Sequence, residues 1–555
     1  MMMALKAWAI FLFCLFFNLF KVWWAPPLSF LVCEATGDPF SDAPLLEILN
    51  KHEKNSGSLI SHKNKFESKN SLRDFPERIK SAINFRESVT FDNPHPLSIK
   101  GGALFRRRVR IRRRTESGLA ASAFNLVNNV AGAGILALPA GMAVGTGWVP
   151  ALTICVAIGI MSGYTFQLVG HSCYIGDEYD FKSLWSKVFG RKTAWQVEAG
   201  IATLCFFCAV IYAGILGDAF TPLFDAAGLP PSLNQRHTNI VLISATILLP
   251  LSLLENLSAL AFTSFLGVVS VIYTAFFIIL RSVDGTYAPG SVFYETLSEN
   301  LQPAFEKQSL WGFTPKALVL VSNLGLAFIA HYNAPRFWTE LRGRSPRRFG
   351  LLVTMSFLVL TLLYSSVMAA GYKTFGDNCQ SNIIKNYHPD DVLAGLARLA
   401  TGISILFGFP LTFIGLRDGF IGSCKSLLEL RELENWSPFR RFRKADLPRT
   451  IFTDLKEYAV KYKNMKKVSI ALLIVVTVMA ALVKDIGLIV GISGSICGAS
   501  IVYVVPSLIY YYIMKEDAPK QISKYTKLNL IFAPFGVFLA VLGVGITIQE
   551  YFFTN

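Results

Sequence analysis

GLAASAFNLVNNVAGAGILALPAGM, residues 118–142, has the length of a bilayer-crossing helix but not the composition of an unbroken one. Asn125, Asn128 and Asn129 stand at i, i+3 and i+4 and share one helical face. Three carboxamides on one face are costly in lipid unless they meet partners. Gly132-Ala133-Gly134 follows, and then Pro139. Glycine weakens a helix, and proline removes a backbone donor. Broken backbone is tolerated at membrane depth only where it is packed in protein or lines a cavity. The stretch therefore predicts a discontinuous helix, whose free N–H groups suit a carboxylate and whose free C=O groups suit an ammonium or a small cation. The same spacing also reads as close helix packing, with small residues at the contact and Asn supplying interhelical hydrogen bonds. A second stretch, VSNLGLAFIAHYNAPRFWTEL (residues 321–341), repeats the pattern: Asn323, Gly325, His331, Asn333 and Pro335 interrupt an apolar run. Two broken segments, five spans apart, point to an inverted-repeat transporter.

The remainder of the chain agrees with a membrane setting. Of 555 residues, 52% are hydrophobic and only 16% charged, and mean hydropathy is +0.44. A water-soluble chain carries about a quarter charged residues. The apolar content excludes a disordered protein, and nine Cys are too dilute for a disulfide scaffold. Eleven apolar spans fit the body, near 119–143, 148–170, 194–217, 238–254, 258–280, 315–335, 350–371, 392–415, 467–483, 486–513 and 528–549. The fold class follows as all-α integral membrane, because an open sheet cannot satisfy its backbone in lipid. The net charge of +16 does not indicate a nucleic-acid partner, since apolar spans interrupt every basic stretch.

Three regions differ in composition. Residues 1–33 hold Lys6, an apolar run and Cys33-Glu34-Ala35, which resembles a signal peptide; a membrane anchor or an upstream start codon are the other readings. Residues 34–117 are polar and read as largely disordered cytosolic-type chain. They end in the Arg106–Arg114 run, seven Arg in nine residues, which reads as a topology determinant or as a patch for anionic lipid. Residues 118–555 form the transmembrane body. With its N-terminus inside, inner loops hold 33 Lys and Arg against 7 in outer loops, counting Lys467 and Lys316 with the loops they border. The body thus starts in the cytosol and ends outside or in a lumen.

FNLVNNVAGAGILALP (124–139), HYNAPRFWTEL (331–341), GYKTFGDNCQSNIIKNY (371–387) and Asp485-Ile486-Gly487 with VGISGSICGASIVYVVPSLIYY (490–511) together resemble the amino acid/auxin permease family of secondary amino acid transporters. The likeness is greatest to its sodium-coupled neutral and vacuolar branches, and covers roughly residues 115–550. It implies about eleven helices in the LeuT-type fold, two inverted five-helix repeats plus one. It also implies an amino acid substrate, held by the broken first and sixth helices. Carried over by position, the carboxylate-facing backbone is Gly132, Ala133 and Gly134, and the sixth-helix segment is Phe328, Ile329, Ala330 and His331. Asn128 falls where family members place an Asn near the cation.

Cation coupling is less legible. The family's sodium users place a Thr or Ser on helix eight, where this chain has Leu406 and Gly408 in RLATGISILFGFPLTF. Thr401 and Ser404 are the nearest hydroxyls, so the coupling ion is read as H⁺ or Na⁺. His331 is the titratable candidate for a proton route, and its bland reading is a satisfied core histidine. Glu198 lies near the inner end of its span and reads as facing water; Arg398 and Arg417 read as snorkelling. Cys379 is the one cysteine in an outer loop of the body, so no disulfide between those loops is expected; the sequons at Asn256 and Asn435 fall on the inner side. No P-loop or structural metal spacing is present, and no enzyme activity is expected. The functional expectation is cation-coupled symport of a small neutral amino acid by alternating access. An amino acid sensor that uses the transporter body with little flux is the alternative.

Overall fold

The computed structural model describes residues 117–230, 235–253, 260–305, 310–434 and 462–553. The expectations for residues 1–33, for residues 34–116 with the arginine run, and for Asn256 and Asn435 lie outside them. Among the described residues the chain is helical, and β pairing is confined to three isolated bridges: Ser117 with Leu341, Thr146 with Phe313 and Ala304 with Gly376.

The first predicted span is two helices, α1 (Leu119–Val130) and α2 (Leu138–Gly145), joined through a 3-10 turn at Ala133–Ala137. The two directions differ by 50°. There follow α3 (Trp148–Gly176), the short amphipathic α4 (Phe181–Phe189) and α5 (Ala194–Ala226). Next come α6 (Arg236–Ile243) and α7 (Leu260–Arg281). The sixth predicted span is again divided, into α8 (Ala317–Ala327) and α9 (Ala334–Glu340). Long helices α10 (Pro346–Phe375), α11 (Val392–Glu434) and α12 (Tyr462–Leu482) succeed them. The last two spans are α13 (Ile486–Ser493) with α14 (Val505–Asp517), and α15 (Phe532–Phe553).

Among the described residues, eight of these stretches are long and apolar enough to cross a membrane, and α1 with α2 makes a ninth. Of the eleven expected from the sequence, the fourth and fifth are covered only in part by the described residues. The fourth span is helical from Arg236 to Ser252, passing through a π turn at Ser244–Leu248. The fifth is α7, of which the part Leu266–Arg281 is a shorter apolar helix among the described residues.

Burial ranks the helices. The Ile486–Asp517 stretch is 89% buried over its most apolar window and Ala317–Glu340 is 72%, whereas Met465–Leu482 is 28%. The first two form the centre, and α12 lies at the rim. Their contact depends on glycine. Between α13 and α14 the backbone winds as an eleven-residue π-helix, Gly494–Val504. A Cβ on Gly494 would lie 1.9 Å from the Ser322 carbonyl oxygen, and one on Gly498 would lie 3.0 Å from the Gly325 carbonyl carbon. Ser322 and Ser495 add a hydroxyl–hydroxyl bond of 2.8 Å. Gly494→Val is expected to force the two central helices apart, and overpacking of this kind costs about 1–3 kcal/mol or more. The monodisperse peak in size-exclusion chromatography of the detergent-solubilised variant should shrink severalfold.

Polar clusters fix the helix ends. Glu198, expected to face water, is partly exposed and accepts from the half-exposed Lys182 of α4 at 2.8 Å and from Ser426 of α11 at 2.7 Å. At the opposite face, Asp391 is fully buried just ahead of α11. It binds Arg281 through two bonds of 2.9 and 2.6 Å, accepts from the Tyr287 hydroxyl at 3.0 Å, and caps the N–H groups of Leu393 and Ala394. Burial, and then the Asp391 carboxylate, push the Tyr287 phenol above its ordinary range, so it stays a donor. Arg398 does not snorkel. It is 3% exposed and donates to the backbone carbonyls of Ile384, Tyr387 and His388, the shortest at 2.6 Å. The loop after α10 folds over the helix end and supplies acceptors nearer than water, which removes the reason for the side chain to extend outward. The same loop reaches α5 through Asn382, which donates to Asp218 at 3.3 Å, and Asp218 also binds Arg236 at 2.7 Å.

Candidate functional site

The interruption between α1 and α2 leaves backbone groups without helical partners. The Gly132 N–H turns back onto the Val130 carbonyl at 2.8 Å. The N–H groups of Ala133 and Gly134 have no acceptor among the described residues. They stand at the start of the 3-10 turn that leads into α2, where aligned peptide dipoles favour an anion. The interruption between α8 and α9 is built alike: an unwound stretch, a 3-10 turn at His331–Asn333, then a helix with Pro335 in its first turn, as Pro139 is in α2. There the N–H groups of Ala330, His331 and Tyr332 have no acceptor among the described residues.

The two interruptions touch. A Cβ on Gly134 would lie 3.1 Å from the Ala327 Cα, the last residue of α8. Farther along α2, Gly141 and Gly145 lie equally close to Leu320 and Ala317, so α2 and α8 run in close contact through glycine. Asn323 donates to the Ala137 carbonyl at 3.2 Å across the same contact.

A cavity of about 30 Å³ opens at the first interruption. Gly132 and Ala133 form one wall; Ser270 and Thr274 of α7 and Thr401 and Ser404 of α11 form the other. That volume holds about two waters, so the walls must part to take even a small amino acid. The hydroxyl wall is knit together: Thr274 and Thr401 lie 3.2 Å apart, and Thr274 and Ser270 each donate to a carbonyl of their own helix. No charged side chain lines the cavity. The Asn128 carboxamide oxygen and the Ser404 hydroxyl both lie within 4 Å of where a Cβ on Gly267 would sit. Gly267→Val would place methyl groups against both, and is expected to cut uptake at least tenfold and raise the cation concentration needed for half-maximal rate. A titration of uptake against that cation measures both.

The sequence-predicted residues thus divide. Gly132, Ala133, Thr401 and Ser404 share the cavity, and Asn128, like Ser404, approaches Gly267. Gly134 faces the α8 end rather than the cavity. Phe328 is fully buried, its ring 4.8 Å from that of Tyr364 and stacked on Phe357. Ile329 is half-buried and Ala330 buried. His331 is fully buried against α3, with Nε2 3.0 Å from both the Thr165 hydroxyl and the Ser162 carbonyl, and with Nδ1 unpartnered. Two tyrosines were missed. The Tyr212 hydroxyl of α5 lies 3.2 Å from the Cβ position of Gly132. The Tyr364 hydroxyl of α10 lies 3.0 Å from the Val130 carbonyl and 2.8 Å from the Ala327 carbonyl. Their sequence signal was a lone phenol in an apolar span, whose polar tip must find a partner in lipid.

Bilayer-length helices packed around interrupted ones that meet at their breaks define a multi-pass membrane protein of the transporter class. The family model described as transmembrane amino acid transporter protein matches residues 115–549, and the chain belongs to that family, one of transporters rather than enzymes. It is similar to the sodium-coupled neutral amino acid symporter 2 of Danio rerio, 24% identical over 419 residues, covering 73% of this chain and 77% of the relative. It is also similar to the vacuolar amino acid transporter 2 of Saccharomyces cerevisiae, 24% identical over 55% of this chain and 62% of the relative. A third relative is the vacuolar amino acid transporter 5 of Schizosaccharomyces pombe, 27% identical over 53% of this chain and 67% of the relative.

Proposed function

We propose that the protein is a secondary active transporter that moves small neutral amino acids with a coupling cation, by alternating access. The observation that carries this is the unpaired Ala133 N–H in the wall of an uncharged cavity, with the unpaired Gly134 N–H next to it in the chain at the α8 contact. Bare amides suit a carboxylate, and a wall without charge leaves no partner for a charged side chain. Gly132, Ala133 and Gly134 hold the carboxylate, with Phe328, Ile329, Ala330 and His331 forming the sixth-segment side of the site. Asn128, Thr401 and Ser404 supply oxygens to the cation.

The repeated order of helix, unwound turn, 3-10 turn and proline-started helix supports a LeuT-type body of eleven spans, two inverted five-span repeats plus one. The first and sixth spans rock, with their bundle, against a scaffold of the third, fourth, eighth and ninth. Lysine and arginine distribution supports a cytosolic start to the body at residue 118, in a plasma membrane or a vacuolar or lysosomal one. The coupling ion is Na⁺ or H⁺. The name of the zebrafish relative favours the first, and the unpartnered Nδ1 of His331 offers a place for the second.

Uptake of labelled neutral amino acids into proteoliposomes, under a sodium gradient and separately under a proton gradient, tests this. The label should accumulate above its external concentration under one of them. Equilibration without accumulation under both would contradict secondary active transport.

A further inference from the structure

We infer that Tyr364 is a positioning residue, whose single hydroxyl holds the two helix breaks in register for substrate. The inference rests on the transporter reading above. Tyr364 belongs to α10, which runs unbroken from Pro346 to Phe375 past both interruptions and serves as a rigid rod. Its side chain is fully buried. The hydroxyl meets the carbonyl of Val130, the last residue of α1, at 3.0 Å, and that of Ala327, the last residue of α8, at 2.8 Å. These are helix-terminal carbonyls, which the breaks deprive of intrahelical donors. The Val130 carbonyl also accepts the Gly132 N–H at 2.8 Å, whereas the Ala327 carbonyl has the phenol as its one donor among the described residues, and a buried carbonyl without a donor is costly.

A phenol has one proton, and here two carbonyls compete for it. Ala327 depends on that proton and Val130 shares it with the Gly132 N–H, so one hydroxyl reaches both helix ends and ties them within its span. The same residues adjoin the binding amides. Val130 precedes Ala133 by three positions, and Ala327 is the residue against which Gly134 packs. Losing the hydroxyl therefore loosens the spacing between the Ala133 and Gly134 N–H groups and the sixth-segment backbone, while leaving the ring on Phe328. The effect falls on substrate affinity before it falls on the fold.

The experiment is initial-rate uptake in proteoliposomes by the full chain, comparing wild type, Tyr364→Phe and Thr361→Val. Thr361 lies one turn earlier on α10 and donates only to its own helix, at the Phe357 carbonyl. Tyr364→Phe should raise the KM for the amino acid about tenfold or more, with the maximal rate per inserted molecule changed less than about threefold; Thr361→Val should match wild type in both. KM is a property of the molecules that fold, so a lower yield does not enter it. An unchanged KM in Tyr364→Phe would overturn the inference. So would a complete loss of inserted Tyr364→Phe protein, since that would place the hydroxyl's role in folding. Absence of uptake by wild type would instead overturn the transporter reading on which the inference rests.

Discussion

Gly134→Leu is expected to abolish amino acid uptake while the protein still inserts. The Cβ alone would stand 3.1 Å from the Ala327 Cα and 3.3 Å from its Cβ, closer than ordinary van der Waals contact. Ala327 Cα is backbone at the end of α8 and cannot rotate away. The remaining leucine carbons would then wedge the two breaks apart by about an ångström, a displacement that costs roughly a hundredfold at a site relying on fixed geometry. The contact lies inside a bundle whose other helix pairs are untouched, so membrane insertion should survive. Uptake per inserted molecule is the measurement, and wild-type uptake by this variant would refute the placement of substrate at the breaks.

The second large effect is on stability. Asp391→Ala removes the carboxylate that pairs with Arg281, accepts from Tyr287 and caps α11. The Asp391 side chain has no exposure and that of Arg281 only 13%, so the guanidinium would be left buried with Asp284 as its remaining ion-pair partner. Breaking a buried pair from one side costs about 3–5 kcal/mol, whereas replacing both partners with apolar groups of like volume is far less costly. Thermal unfolding in detergent should therefore show a large fall in midpoint for Asp391→Ala, and a smaller one for the double variant Arg281→Met, Asp391→Leu. Equal falls would mean that the pair contributes through packing alone.

What could be read from the sequence was whatever one segment encodes by itself. Both interruptions were legible, because Gly132, Gly134 and Pro139, and likewise Gly325 and Pro335, disturb runs that otherwise favour helix. The all-helical character followed from apolar length. The opposite wall of the cavity was legible only in part. Thr401 and Ser404 were singled out, but Ser270 and Thr274 were not, since nothing in a sequence states which helix lies beside which. Tyr364 escaped for the same reason, because its two partners are 234 and 37 residues away. Arg398 was misread because an arginine near a helix end extends to water by default, and only the loop that folds over it supplies nearer acceptors. The π-helix at Gly494–Val504 has no local signature; it reflects how closely Gly494 and Gly498 let that helix approach α8.

The most direct test of the account is a structure of the full chain in lipid nanodiscs with a small neutral amino acid such as alanine, soaked at saturating concentration. The substrate carboxylate should lie within hydrogen-bond distance, about 3 Å, of the Ala133 and Gly134 N–H groups, with the hydroxyl wall of α7 and α11 across from it. An amino acid bound elsewhere, with those two amides facing water or one another's helix, would contradict it.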